Sequence, residues 1–233
     1  MKIIDREFFD KPFYGIRRMT HHLGHLGFKV NYKRIRRLYR LMDIRVIYPK
    51  KNTSKANKEH KTYPYLLRGL KIERVNQVWA TDITWIPMKQ GFMYLIAIID
   101  LYSRYVLNWS ISNSMDATWC ADVLKEAIKE HGTPEIFNTD QGSQFTSLKF
   151  TDVLKANHIR ISMDGKGRAI DKVFIERLWR SVKTEYVYLN PANGGLELYR
   201  GMEKYISFYN HQRVHQALKY QVPEAIFKQK YVA

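Results

Sequence analysis

Three acidic residues lie where a carboxylate is unexpected or well placed for chemistry. Asp82 interrupts a β-favouring run, and Asp140 ends a short apolar segment just before a turn-like stretch. Glu176 lies among cations on an expected helix. Carboxylate oxygens are preferred ligands of Mg²⁺ and Mn²⁺, and two such ions about 3.5–4 Å apart can activate one oxygen and stabilise another in phosphoryl transfer. Together, the three acids suggest a site for divalent metal ions.

Taken singly, each acid also has an ordinary structural interpretation. Asp82 fits an exposed edge strand, and Asp140 fits a common turn aspartate. Glu176 is expected opposite the apolar face of its helix, which consists of Phe174, Ile175, Leu178, Trp179, Val182 and Tyr186. There, Lys172 and Arg180 at i−4 and i+4 would form salt bridges with Glu176 worth only tenths of a kcal/mol. The functional alternative is a carboxylate surrounded by cations that contact DNA phosphates. The residues alone leave both interpretations open.

The elements that must position these acids form an α/β pattern over residues 75–190. Alternating and apolar runs of residues predict that this segment begins with an antiparallel meander of three strands. Further strands and helices are predicted after the meander. The predicted strands are 78–86, 92–100, 104–112, 134–138 and 158–162, and the predicted helices are one from Asp116 to Gly132, 148–156 and about 171–187. This order is that of the ribonuclease H-like fold, an integrase core with a mixed central sheet.

The remaining residues fall into three further segments. Residues 1–48 predict two short helices in a basic, helix-turn-helix-like segment, with Asn31 capping the second helix. The expected apolar face of that second helix consists of Ile35, Leu38, Leu41 and Met42. Its candidate DNA-binding residues are Lys33, Arg34, Arg36, Arg37 and Arg40. A helical hairpin that docks on the main domain with solvated arginines is the alternative. Residues 49–74 predict a basic linker, and residues 191–233 a C-terminal helical extension.

The charge of the chain is concentrated near its N-terminus. Of the formal net charge of +17, residues 1–75 carry +14, with 20 Lys and Arg against 6 Asp and Glu. This asymmetry predicts a polyanionic partner, with nucleic acid favoured over an anionic membrane surface. A single cysteine, Cys120, and the lack of an apolar leader predict a cytoplasmic protein. His21, His22 and His25 cluster without a nearby cysteine, so no zinc site is expected.

The order and spacing of the acids resemble a known signature. Asp82 and Asp140 are separated by 57 residues, and Asp140 and Glu176 by 35, as in the D,D(35)E signature of transposases and retroviral integrases. The surrounding sequences are similar to those of bacterial insertion-sequence transposases of family three, specifically to the product of the second reading frame. The similar segments are WATDIT (79–84), TDQGSQF (139–145), ERLW (176–179), PFYGIRR (12–18) and YNHQRVHQAL (209–218).

The resemblance implies a metal-dependent transesterification, in which water or a DNA 3′-hydroxyl attacks a phosphodiester. It implies two Mg²⁺ ions per site, replaceable by Mn²⁺, with Asp82 bridging them, Asp140 as a further ligand and Glu176 completing one shell. Lys183 would position donor-end phosphates. Further candidates for DNA contacts are Arg180, Lys172, Lys166, Ser143 and Gln144.

The implied partners are double-stranded DNA, as element terminal repeats and target, and further copies of the chain in a synaptic complex. Fusion to an upstream-frame helix-turn-helix protein is also implied. Two other functions remain open at this point. One is a catalytically silent DNA-binding regulator or relic of the element, and the other is a structure-selective nuclease of the same fold that uses only water.

Overall fold

The computed structural model describes residues 1–46, 61–164 and 173–229. Within it, the chain divides into two compact units, Met1–Lys55 and Ala56–Ala233. Two of the predicted DNA contacts, Lys166 and Lys172, lie outside the described residues, as does much of the predicted linker. In the described parts of the chain, no helix has both the length and the apolar character needed to cross a membrane.

The first unit is built from three helices, α1 (Lys2–Asp10), α2 (Ile16–His25) and α3 (Tyr32–Leu41). The two predicted helices correspond to α2 and α3, and α1 was not foreseen. The side chain of Asn31 accepts a hydrogen bond of 3.0 Å from the backbone N–H of Arg34, which confirms the predicted cap. Ile4 of α1 joins the core of the unit, so the pair of basic helices has a third helix as support.

The buried face of α3 differs in part from its prediction. Ile35 is buried as expected, but Tyr39 takes the second core position and Leu41 is 65% exposed. The Tyr39 hydroxyl donates to the backbone carbonyl of Tyr14 at 2.9 Å. An aromatic side chain can pack its ring and satisfy its hydroxyl at the same position. Tyr39, which is surrounded by arginines in the sequence, is therefore part of the buried face of α3.

The second unit contains a five-stranded sheet with helices on both faces. Its elements are β1 (Val78–Pro87), β2 (Phe92–Asp100), β3 (Val106–Ser112), α4 (Ala117–His131), β4 (Ile136–Thr139), α5 (Ser143–Thr146), α6 (Leu148–Ala156), β5 (Arg160–Met163), α7 (Val173–Ser181), a π-helical segment (Val182–Val187), α8 (Gly195–His211), a 3₁₀ turn (Gln216–Leu218) and α9 (Pro223–Lys228). The strand order is β3-β2-β1-β4-β5. The first three strands are antiparallel, and β4 and β5 run parallel to β1. This confirms the predicted mixed sheet.

Each face of the sheet covers its own apolar core. Ala80, Ala97 and Ile99 pack with α7 and α8 on one face. Trp79 and Ile98 point to the other face, where they pack with α4 and α6. Alternate residues of one strand thus supply both cores, as a pleated strand covered on two sides requires. The central strand β1 is consequently fixed between two layers of helices.

Two boundaries differ from the predicted ones for identifiable reasons. Arg104 was placed in the third strand, but its backbone has φ +64° in the turn before β3. The last core helix was predicted to run uniformly to residue 187, whereas regular α-helix ends at Ser181 and π-helical turns continue to Val187. Such π segments are rare and often occur at functional sites. The predicted caps of α4, Asp116 and Gly132, are confirmed.

The described part of the predicted linker packs on the second unit. Leu67 is 4% exposed and belongs to the core beneath α7 and α8. The backbone N–H of Leu66 donates to the Ser162 hydroxyl at 3.0 Å. Residues 61–74 therefore form an irregular strap against the sheet and its core.

Asn210, in α8, fastens the C-terminal extension to edge strand β3. Its side-chain oxygen accepts from the backbone N–H of Val106, and its side-chain nitrogen donates to the Val106 carbonyl, both at 2.9 Å. Asn210 is 4% exposed. A single amide thus satisfies both backbone groups of one strand residue, as a neighbouring strand would.

We expect Asn210→Ala to lower the free energy of unfolding by about 2–4 kcal/mol, because two buried backbone groups would lose their partner. The measurement is urea denaturation followed by circular dichroism. Asn190→Ala is the matched control, since Asn190 makes an exposed 3.0 Å hydrogen bond within its own turn. Equal losses in the two variants would contradict the structural role of Asn210.

Candidate active site

Asp82 and Asp140 are brought together by the pairing of β1 with β4. These strands run parallel, and Ala80 is paired with Asn138. Asp82 and Asp140 each lie two residues further along their strands, so the same register leads to neighbouring positions. Both side chains are half-buried. The two aspartates therefore occupy neighbouring positions near the carboxyl end of β4, at the middle of the sheet.

The loop after β4 holds the Asp140 carboxylate close to the backbone. The N–H of Gly142 donates to Asp140 Oδ1 at 2.8 Å. A Cβ atom at Gly142 would lie 2.8 Å from that same oxygen and 2.6 Å from Gln144 Nε2. Real Cβ atoms do not make such contacts, so only glycine fits this turn without displacing a side chain.

Helix α7 is tied to the same end of the sheet by a direct hydrogen bond. Trp179 Nε1 donates to Asp82 Oδ2 at 3.1 Å. The Trp179 ring is itself buried in the core between the helix and the sheet. One residue of α7 thus packs against the sheet and binds the first of the candidate carboxylates.

Glu176 lies one helical turn before Trp179 and is exposed. Residues three apart on a helix are neighbours on its surface. Glu176 therefore borders the apolar face next to Trp179, whereas the sequence predicted it opposite that face. The prediction treated Trp179 only as an apolar residue and so missed its polar contact with Asp82. The structure places Glu176 beside the helix face that contacts Asp82.

Lys183 lies at the start of the π-helical segment, close to both Asp82 and Trp85. Its ammonium nitrogen is 4.9 Å from the centre of the Trp85 ring. Burial lowers the pKa of Lys183, while the charge of Asp82 opposes that shift. The predicted basic residue is therefore beside the acidic site, in contact with an indole that is 55% exposed.

The other predicted contact residues take different places. Ser143 and Gln144 begin α5 directly after the Asp140 loop, with Ser143 exposed and Gln144 half-buried. Arg180 is exposed and lines a pocket on another side of α7. In the first unit, the five predicted cations of α3 are all exposed, namely Lys33, Arg34, Arg36, Arg37 and Arg40.

Three neighbours of the site were missed by sequence reasoning. Besides Trp179, these are Asn138 and Asp164, which are buried at the ends of β4 and β5. The Asn138 side-chain nitrogen donates to Asp164 Oδ1 at 3.2 Å. The sequence did contain a signal for Asn138, because it is a polar residue within a short buried strand and lies two residues before Asp140. The aspartate that directly follows β5 became recognisable only through the pairing of β4 with β5.

The donors at this site are oxygen atoms of the type that Mg²⁺ prefers. Within residues 1–46, 61–164 and 173–229, no group of three or more His, Cys, Asp or Glu is arranged to hold a metal ion. Asp82 and Asp140 are neighbours through strand register, and Glu176 lies on the helix that contacts Asp82, but the three acids do not form one closed ligand set. The residue types fit a divalent cation.

Comparison with known proteins defines the class of this fold and site. Residues 72–169 match the family model of an integrase core domain, and residues 157–223 match a second model of the same description. Residues 1–52 match an HTH-like domain. The chain therefore has an integrase-type core preceded by a helix-turn-helix-like unit.

Relatives narrow this class to a family. The chain is 32% identical over 223 residues to the transposase for insertion sequence element IS904 of Lactococcus lactis, covering 91% of this chain and 86% of the relative. It is 31% identical over 191 residues to transposase InsF for insertion sequence IS3A of Escherichia coli, covering 76% and 64%. The chain belongs to the insertion-sequence transposases of family three, as the sequence motifs predicted.

Solved structures agree with the fold. The HTLV-2 integrase catalytic core domain, in complex with magnesium in its dimeric form, aligns with a TM-score of 0.54 at 22% identity, covering 66% of this chain and 97% of that one. A simian T-cell lymphotropic virus intasome aligns with a TM-score of 0.59 at 18% identity, covering 96% and 73%. These similarities confirm the predicted integrase core fold.

The contact between Trp179 and Asp82 generates a first prediction. Trp179→Phe keeps an aromatic ring but removes the N–H donor, so Asp82 loses its link to α7. We expect the rate of DNA strand transfer to fall about 10- to 100-fold, in the range seen when a residue supporting a metal ligand is lost. The measurement is a strand-transfer time course with labelled element-end DNA and Mg²⁺.

Trp119→Phe is the matched control for this experiment. Trp119 Nε1 makes a similar 2.9 Å hydrogen bond, to the Ser110 hydroxyl on α4's side of the sheet. Loss of this hydrogen bond should leave the rate of strand transfer within about twofold of wild type, because the bond is of similar strength but lies away from the three acids. If both variants lose activity equally, the Trp179 bond has no special role at the site.

The Gly142 turn generates a second prediction. In Gly142→Ala, the added methyl group would force Asp140 Oδ1 out of its place, so strand transfer should fall about 10-fold or more while folding is retained. Gly194→Ala is the control, because a Cβ atom there meets nothing within 4 Å. Activity of Gly142→Ala equal to that of the control would show that the position of Asp140 is not critical.

Proposed function

We propose that this transposase cleaves and joins DNA at a site formed by Asp82, Asp140 and Glu176. The observation that carries the proposal is the hydrogen bond from Trp179 to Asp82, because it ties the helix of Glu176 to the strand pair of the two aspartates. Glu176 is thereby held one helical turn from the residue that contacts Asp82. The signature spacing of the three acids supports the same assignment.

The proposed reaction is an in-line transesterification at phosphorus. The oxygen of water or of a DNA 3′-hydroxyl forms a new P–O bond while the bond to the leaving 3′-oxygen breaks. When bound, Mg²⁺ would lower the pKa of the attacking oxygen and stabilise the charge on the leaving one. Asp82 and Asp140 would be its principal ligands, with Glu176 as the third, and Mn²⁺ would substitute for it.

The side chains around the acids have defined tasks in this proposal. Lys183, partly desolvated beside Trp85, would contact a phosphate of the DNA end as a point charge. The exposed indole of Trp85 would stack on a base at the same end. Gly142 would hold Asp140 in place, and the α5 residues Ser143 and Gln144 would contact the backbone of the bound strand.

The first unit would supply most of the affinity for DNA. Its helix α3 exposes five cations on the side away from Ile35 and Tyr39, as a helix that lies against a duplex requires. Element ends and target DNA must both be held, so we propose that at least two copies of the chain act together in the bacterial cytoplasm. Each copy would carry its own set of acids.

A DNA-binding protein without catalysis is the second candidate. It has little support, because this chain keeps all three acids, the Trp179 contact and the glycine that Asp140 requires. A nuclease of the same fold would keep these features as well. The nuclease would differ from the transposase only in the attacking group, so the products of the reaction distinguish the two.

Glu176→Gln tests the proposed function. We expect the variant to bind element-end DNA within about twofold of wild type, because the substitution removes one exposed negative charge among many groups. Cleavage and strand transfer with Mg²⁺ or Mn²⁺ should fall to the level of a protein-free blank, because the amide is a poor metal ligand. Cleavage and strand transfer are measured on labelled DNA by denaturing electrophoresis, and binding is measured by the mobility shift of the same DNA in native electrophoresis.

Glu203→Gln, an exposed glutamate of α8, provides the control for charge and should behave as wild type. Joined products from wild type support the transposase, whereas cleavage without joining indicates the nuclease. Shifted but uncut DNA indicates the regulator. Strand transfer retained by Glu176→Gln would refute the assignment of Glu176.

A further inference from the structure

A pocket of about 350 Å³ lies on another side of α7, and four of the residues that line it are arginines. Its walls come from α7, the π-helical segment, the turn before β3 and the C-terminal segment after α8. The charged residues that line it are Arg104, Arg177, Arg180, Glu185 and Arg213. Four guanidinium groups and one carboxylate thus share a small volume within the described part of the chain.

The single carboxylate is already engaged by one of the arginines. Arg213 donates from Nε and Nη2 to the two oxygens of Glu185, at 2.8 and 2.6 Å. The Tyr205 hydroxyl donates to Glu185 as well, at 2.9 Å. The hydrogen bond with Arg213 is the main reason why the pKa of Glu185 is lowered. This bidentate pair fixes one wall of the pocket and neutralises its own charge.

His215 adds no positive charge to the pocket at neutral pH. Burial, followed by the charge of Arg213, lowers the pKa of His215 to about 4. Its ring nitrogen Nε2 lies 3.2 Å from Arg213 Nη1 and can accept a hydrogen bond from it. Arg213 is therefore held on two sides, which orders the segment that follows α8.

The other three arginines leave the pocket strongly positive. The Arg104 guanidinium lies 3.5 Å from the centre of the Phe174 ring and donates to the Leu101 carbonyl. The pKa of Arg104 is lowered to about 10, chiefly by burial and additionally by the charge of Arg177. An arginine that is partly desolvated near a second arginine is stabilised by an anion placed between them.

We propose that this pocket binds a backbone phosphate of the DNA strand that enters the active site. Arg104, Arg177 and Arg180 would donate to the phosphate oxygens, and the Arg213–Glu185 pair would act as a positioning clamp. Guanidinium groups suit this ligand because their paired N–H donors match two phosphate oxygens. This assigns a function to the C-terminal motif that contains Arg213 and His215.

The position of the pocket favours DNA over a free anion. Arg177 directly follows Glu176, and Arg180 lies three residues further along the same helix, about 4.5 Å from Arg177 along its axis. A phosphate held there lies within a few nucleotides of a phosphodiester at the acids. That the bound strand leads to the three acids rests on the proposed function, whereas phosphate binding by the pocket does not require catalysis.

The test uses the full chain, a labelled duplex oligonucleotide and no divalent metal, so that no chemistry takes place. Fluorescence anisotropy gives the dissociation constant over a series of NaCl concentrations. We expect Arg177→Gln, and likewise Arg180→Gln, to reduce the slope of log K against log salt by about 1, because one phosphate contact is lost. Arg200→Gln, an exposed arginine of α8, is the matched control and should keep the wild-type slope.

Wild-type slopes in both pocket variants would overturn the proposal, as would an equal change in Arg200→Gln. A free anion is distinguished by thermal unfolding in sodium phosphate and in NaCl of equal ionic strength. If phosphate raises the melting temperature of wild type but not of Arg177→Gln, and the DNA slopes are unchanged, the pocket takes a free anion and the proposal is wrong. Loss of catalysis in Glu176→Gln has no bearing on these outcomes.

Discussion

The parallel register of β1 and β4 is the constraint on which the active site depends. Because Ala80 is paired with Asn138, residues far apart in the chain reach the same level of the sheet, and two aspartates become neighbours. A shift by one residue would turn one of them to the opposite face. The two apolar cores fix this register, since alternate residues of β1 fill both of them. Packing of the sheet thus sets the geometry of the carboxylates.

Helix α7 connects this sheet to the rest of the proposed machinery. Trp179 packs into one core and binds Asp82, so the position of the helix depends on the strand that carries the first acid. Glu176 borders the same side, whereas Arg177 and Arg180 line the basic pocket. The π-helical segment then presents Lys183 to Asp82 and Glu185 to Arg213. This helix and the π-helical segment therefore carry a carboxylate, a buried anchor and the cations of the two proposed contacts with a DNA strand.

The sequence allowed the element order, the mixed sheet and the family to be predicted, because strand alternation, helix caps and motif spacing are local signals. Polar contacts between distant residues were not predictable in this way. Trp179 was assigned to an apolar face, which concealed its bond to Asp82, and Tyr39 was left out of its core. Arg104 and Arg213 meet only after folding, so their pocket has no signature in the chain. The assignment of the three acids themselves continues to rest on their spacing and placement.

The most direct test of the proposed site is the location of bound metal. Crystals of the protein would be soaked in saturating Mn²⁺, and anomalous diffraction would be recorded at the manganese edge. We expect an anomalous peak bonded to carboxylate oxygens of both Asp82 and Asp140, with Glu176 turned toward it. Manganese bound only elsewhere, or no peak at the two aspartates, would show that these carboxylates do not form the metal site.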